Sequence, residues 1–155
     1  MSSPEKDSAK SQVLVLEEHP LLRHGVADYL NAQPDMAVCG ESDNIRDARN
    51  KIHQCKPQLL LTALRLGAGD SLEFVKALKS ERPALYILVY SAFEETILAE
   101  RALRAGAGGY VAKKAHTEDL RRAIREIRGG THTTSKDEPI GDVSNQTDAI
   151  ANQTF

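Results

Sequence analysis

The chain has little cysteine, no surplus charge of either sign and no long apolar run, and each scarcity closes off a class of protein. Its 155 residues include two cysteines, Cys39 and Cys55, at a spacing that matches neither a disulfide framework nor the paired ligands of a zinc site. They read as reduced, partly buried residues of a chain kept in a reducing compartment. Lys and Arg number 20 against 22 Asp and Glu, a net charge of -2, so the chain as a whole offers no field for nucleic acid or an anionic membrane. The polar N-terminus lacks the apolar core of a signal peptide, and no later run approaches the ~18 apolar residues of a membrane helix. A cytoplasmic location is expected. The triplets beginning at Asn145 and Asn152 match a glycosylation pattern that has no physical meaning in a chain that is not secreted.

What is present is 41% apolar residues, enough for one covered core in a domain of ordinary size. Val13-Leu14-Val15-Leu16 makes a short buried strand that ends at Glu17, Glu18 and His19. Pro20 then opens a helix with Leu21, Leu22, Val26, Tyr29 and Leu30 at helical spacing, stopped by Gln33-Pro34-Asp35. Met36 to Cys39 is a weaker strand, and Asp43 or Asn44 caps a polar second helix carrying Ile45, Ala48 and Ile52. Leu59-Leu60-Leu61 is the continuous apolar run of a parallel strand covered on both faces, running through Ala63 into a loop that bears Gly67 and Gly69. Asp70 or Ser71 caps a third helix reaching about Ser80, and Pro83 fixes the next turn. Leu85 to Tyr90 is the strongest strand signal, a fourth helix runs from about Glu94 to Ala105, and Tyr110-Val111-Ala112 is a brief fifth strand. Thr117 opens the last helix, with Leu120, Ala123, Ile124 and Ile127 on one face until Gly129-Gly130.

Five strand–helix units with short connections imply parallel strands, right-handed crossovers and helices on both faces of the sheet. The expected fold is α/β: a five-stranded, doubly wound parallel sheet of flavodoxin-like type, (βα)5, in strand order 2-1-3-4-5. Residues 12–130 are expected to form this domain. Residues 1–11 and 131–155 are polar and lack an apolar period, so they are expected to be a disordered leader and tail.

Open α/β sheets place their chemistry at the C-terminal ends of the strands, and at the end of the third stands Ala63, whose methyl can neither ligate, donate nor attack. The acidic pair Glu17 and Glu18 after the first strand, Ser91 after the fourth and Lys113 after the fifth together resemble the receiver domain of two-component response regulators. The runs from Glu17 to Gly25 and from Gly109 to Ala115 are most similar to the NarL/FixJ type, whose receivers usually precede a LuxR-type helix-turn-helix. By that resemblance the family's Mg2+-holding acidic pair falls on Glu17 and Glu18, its phosphate-contacting hydroxyl on Ser91, its invariant lysine on Lys113 and its switch aromatic on Tyr110. The phosphoryl-accepting Asp falls on Ala63. Receivers accept phosphate because a carboxylate attacks a phosphohistidine while Mg2+ and Lys neutralise charge developing on the phosphoryl oxygens. Without that carboxylate no acyl phosphate forms, and Thr62, one residue away on a strand, faces the other way.

Each glutamate is one methylene longer than the usual Asp, and Mg2+ demands near-octahedral geometry at ~2.0–2.1 Å, so the expectation is no cofactor, with Mg2+ on Glu17 and Glu18 left open. Lys113 is free to pair with Glu17 or Glu18, and the two glutamates also read as a solvated acidic loop without metal. Tyr110 also reads as a fixed aromatic. Arg101, Arg104, Arg121, Arg122, Arg125 and Arg128 alternate with Glu100, Glu118, Asp119 and Glu126, the pattern of a solvated face and not of a one-signed phosphate-binding patch. In receivers, helix 4, strand 5 and helix 5 form the surface where partners and dimer mates dock. The expectation is a non-enzymatic pseudo-receiver that cannot be phosphorylated at the usual position. It would act in transcriptional regulation through a protein partner or a homodimer on that surface, touching neither nucleic acid nor membrane. Two alternatives remain: a phospho-dead or truncated form of an ordinary LuxR-type regulator, with a sensor kinase as partner, and a flavodoxin-like small-ligand binder. Gly67-Ala68-Gly69 is too short for the phosphate loop the last would need.

Overall fold

Buried aliphatic strands alternate with amphipathic helices throughout the computed structural model, which describes residues 10–67, 69–91, 96–112 and 117–128. In chain order these are β1 (Ser11–Leu16), α1 (Pro20–Asn31), β2 (Met36–Ser42), α2 (Ile45–Cys55), β3 (Leu59–Ala63), α3 (Leu72–Glu81), β4 (Tyr86–Ser91), α4 (Thr96–Ala105), β5 (Gly109–Ala112) and α5 (Thr117–Arg128). The strands form one parallel sheet in the order β2-β1-β3-β4-β5, the doubly wound flavodoxin-like arrangement that the alternation implies. The first strand begins at Ser11, inside the stretch expected as leader. The expected tail, 131–155, lies outside the described residues.

Side-chain alternation along the strands divides the core into two layers. Leu14, Leu16, Leu60, Ile87 and Val89 pack with Ala48 and Ile52 of α2, Val75 and Leu78 of α3 and Ala102 of α4. On the other face Val13, Val15, Leu61, Ala63, Leu88 and Tyr90 pack with Leu30 of α1 and Ile124 of α5. Each fully buried leucine or isoleucine contributes roughly 1.5–3 kcal/mol relative to exposure, so the two layers together hold the helices against the sheet. Even the polar α2 is secured, because Asn44 caps it by accepting from the Asp47 N–H at 2.8 Å and Arg49 pairs with Glu81 of α3 at 2.8 Å. Arg125 of α5 grips Asp35, before β2, through two hydrogen bonds of 2.8 and 2.9 Å.

Two details depart from the sequence reading. The edge strand β2 continues to Ser42 because it absorbs a bulge: Val13 pairs with Val38 and Leu14 with Gly40, leaving Cys39 as the extra residue. Beyond β3 the expected loop closes into a small antiparallel ladder in which Arg65 pairs with Asp70 and Leu66 with Gly69. Gly67 stands in it at φ +60, which a glycine adopts without strain. The cap of α3 is divided between its two candidates. Asp70 Oδ1 accepts from the Leu72 N–H at 3.0 Å, while Ser71 occupies the cap position without a side-chain cap bond and its hydroxyl donates to the Ala63 carbonyl at 2.8 Å.

Candidate functional site

The sheet order sets β1 and β4 on either side of β3, roughly 9.5 Å apart at the usual spacing between strands. Glu17, the first residue past β1, is fully buried. A carboxylate there needs donors, and Tyr90 and His19 are among the groups that supply them. The Tyr90 hydroxyl donates to Oε1 at 2.9 Å; the His19 N–H and Nδ1 approach Oε2 at 2.9 and 2.8 Å. The backbone is fixed as well, since the Glu17 N–H donates to Ser42 O at 2.9 Å and Arg23 Nη1 donates to Glu17 O at 2.8 Å. Tyr90 is the register partner of Ala63 and shares its face of the sheet. The bond from Tyr90 to Glu17 therefore crosses β3 on the side of the Ala63 methyl, which is itself wholly buried. Alanine at 63 adds only a methyl to that face beside the bond.

Burial first, and then the negative charge of Glu17 and the hydrogen bond to it, push the Tyr90 phenol well above its ordinary range. Tyr90 thus keeps its proton and remains the donor.

The other residues singled out from sequence take varied places. Glu18 turns away from Glu17 and accepts from the Gly67 N–H at 2.9 Å. Ser91 ends β4, buried, opposite Ala112 of β5. Tyr110 is partly buried against the layer under α2, α3 and α4. Thr62 is buried and donates to the Ala63 carbonyl at 3.0 Å. Its neighbours at alternate positions, Leu60 and Leu64, belong to the layer opposite that of Ala63. Lys113 lies outside the described residues, and with it the pairing expected with Glu17 or Glu18. For Glu17 the solvated acidic loop is corrected, because Tyr90 and His19 stand where water would be.

The same geometry tests Mg2+. Both Glu17 oxygens already accept from protein donors, Glu18 is engaged with Gly67, and Ala63 offers no donor atom to complete an oxygen shell. Among the described residues no group of three or more His, Cys, Asp or Glu is placed to hold a metal ion. These residues do not fit the ion. Sequence reasoning missed Tyr90, although a signal was there: its hydroxyl interrupts the apolar run Ile87-Leu88-Val89, and a buried tyrosine O–H must find a partner.

Compared with known proteins, residues 13–125 match the family described as Response regulator receiver domain. The chain belongs to this family. Among relatives, the response regulator protein VraR of Staphylococcus aureus (strain NCTC 8325 / PS 47) is 32% identical over 119 residues, which are 77% of this chain and 57% of VraR. The receiver thus spans little more than half the length of that curated relative. Among solved structures, a LuxR-family two-component response regulator from Aurantimonas sp. SI85-9A1 is 25% identical with a TM-score of 0.74, covering 78% of this chain and 86% of that one. The signal receiver domain of the putative response regulator NarL from Mycobacterium tuberculosis is 28% identical with a TM-score of 0.73, covering 78% and 98%. Receiver domains of this NarL/LuxR type are signalling modules and not enzymes. Among the described residues no helix is long and apolar enough to cross a membrane.

Proposed function

We propose that this receiver domain signals without an acyl phosphate at residue 63 and serves transcriptional regulation in the cytoplasm through protein contacts. The observation that carries the reading is the buried hydrogen bond between Tyr90 and Glu17 across the Ala63 methyl. On this reading Ala63 stands at the phosphoacceptor position, with Ser91 and Lys113 as remnants of a phosphate site and Tyr110 at the switch position. Phosphorylation ordinarily stabilises one of two pre-existing conformations. A receiver that lacks the acceptor is moved only by a partner or by its own bias.

The contact surface on this reading is that of α4, β5 and α5, for a protein partner or a second copy of the chain. Ile97 of α4 is 66% exposed, and Arg101 and Arg104 follow it on the same helix face, also exposed. An exposed branched apolar side chain flanked by arginines supports recognition of a protein surface. On α5, Arg121 and Arg122 are already paired with Glu118 and Asp119, which argues against a free cationic stripe for phosphate backbone. Incubated with acetyl phosphate and Mg2+, the chain is expected to retain its intact mass. A phosphoryl adduct that hydroxylamine removes would overturn the reading.

A further inference from the structure

The two cysteines, distant in sequence and unremarkable by spacing, are brought together at the edge of the sheet. Cys39 is the extra residue of the β2 bulge, and bulges re-aim the side chain they carry. Here the side chain packs on the α2 side of the sheet. Cys55 is the last residue of α2, its Sγ donates to the Cys39 carbonyl oxygen at 3.2 Å, and its thiol lies near enough to that of Cys39 to help push the Cys39 thiol up. The helix stops there because Lys56 takes a left-handed conformation at φ 50. Gly40 adjoins the pair: a Cβ on it would stand 3.6 Å from Cys55 Sγ, an ordinary contact. Both thiols are free and partly exposed, so a small oxidant can reach them.

We propose that Cys39 and Cys55 form a redox-active dithiol, a modification site that closes to an intramolecular disulfide by exchange with a low-molecular-weight disulfide such as glutathione disulfide. The thiolate of Cys55 attacks one sulfur of the oxidant, forming a mixed disulfide and expelling one thiolate. Cys39 then loses its proton to solvent and attacks Cys55 Sγ, expelling the second thiolate. In total the two protein thiols give up two electrons and two protons, the oxidant gains them as two thiols, and one S–S bond replaces another. The order of attack follows from environment: burial, and then the neighbouring thiol, push Cys39 up to about 12, so it is the resolving partner. The bridge would tie the edge strand to the end of α2. It lies three residues before Ser42, whose carbonyl holds the Glu17 N–H.

The test uses the whole chain, folded, with glutathione disulfide as the probe. Expected are loss of both titratable thiols, an intact mass lower by two hydrogens, a peptide joining Cys39 to Cys55, and full reversal by dithiothreitol. The oxidised chain should unfold at a higher urea concentration than the reduced one, since the bridge restricts the unfolded ensemble. Cys39→Ser should instead stop at a glutathione adduct on Cys55. Two unreacted thiols in the native chain, glutathione retained on both cysteines, or a lower unfolding midpoint after oxidation would overturn the proposal.

Discussion

Introducing a carboxylate with Ala63→Asp is expected not to permit phosphorylation on its own. The new side chain would enter a wholly buried position beside the Glu17 carboxylate and under the Tyr90 hydroxyl. Neighbouring carboxylates disfavour one another's ionised form, which leaves less of the incoming group as the nucleophilic anion. Tyr90 meanwhile occupies space and donates a bond that a phosphoryl group would have to displace. A misplacement of ~1 Å between reacting groups costs on the order of a hundredfold in rate. The double variant Ala63→Asp/Tyr90→Leu removes the hydroxyl and frees one oxygen of Glu17, and is expected to take phosphate from acetyl phosphate about a hundredfold faster than the single variant. Intact mass against time measures both. Equal rates would show that Tyr90 does not close the site.

Loss of Glu17 is expected to be strongly destabilising. Glu17→Ala leaves the Tyr90 hydroxyl buried without its acceptor and releases the His19 contacts, a loss of about 3 kcal/mol by urea unfolding. Tyr90→Phe keeps the ring and removes one charge-assisted bond, for about 1.5–3 kcal/mol. It should also change the response to alkali. Unfolded, the phenol releases its proton near pH ~10; folded, burial beside Glu17 retains it. Above that pH the unfolded chain binds fewer protons than the folded one, so stability is full below ~10 and falls as pH rises. Cys39 adds a fall of the same sign up to about pH 12. The difference between native and Tyr90→Phe chains on the same cysteine background isolates the phenol. Parallel stability curves above pH ~10 would count against a buried Tyr90–Glu17 bond.

Most of the architecture could be read from residue order alone. The runs Val13 to Leu16, Leu59 to Leu61 and Leu85 to Tyr90 carry strand signals that need no partner to be recognised, and the helices between them are periodic. Asn44 was one of two cap candidates because both neighbours have suitable side chains; the local geometry selects it. The bulge at Cys39 left no trace in the sequence, since a bulge belongs to a pair of strands and not to one. The same reason hid the Tyr90–Glu17 bond. These residues are 73 positions apart, and they meet only when strand order, register and side-chain face are all known. A pair of adjacent glutamates after a strand reads as wet until the group that dries one of them is located. Ala63, by contrast, is informative without coordinates, because a methyl can itself neither ligate, donate nor attack whatever surrounds it.

The most direct measurement is the amide proton–nitrogen correlation spectrum of the whole chain before and after addition of acetyl phosphate and Mg2+. If Tyr90 and Glu17 already fill the site over Ala63, the two spectra superimpose from β4 through α5, and the same additions shift those signals only in Ala63→Asp/Tyr90→Leu. Phosphodonor-dependent shifts at Tyr90, Ser91 and Tyr110 in the native chain would contradict the account.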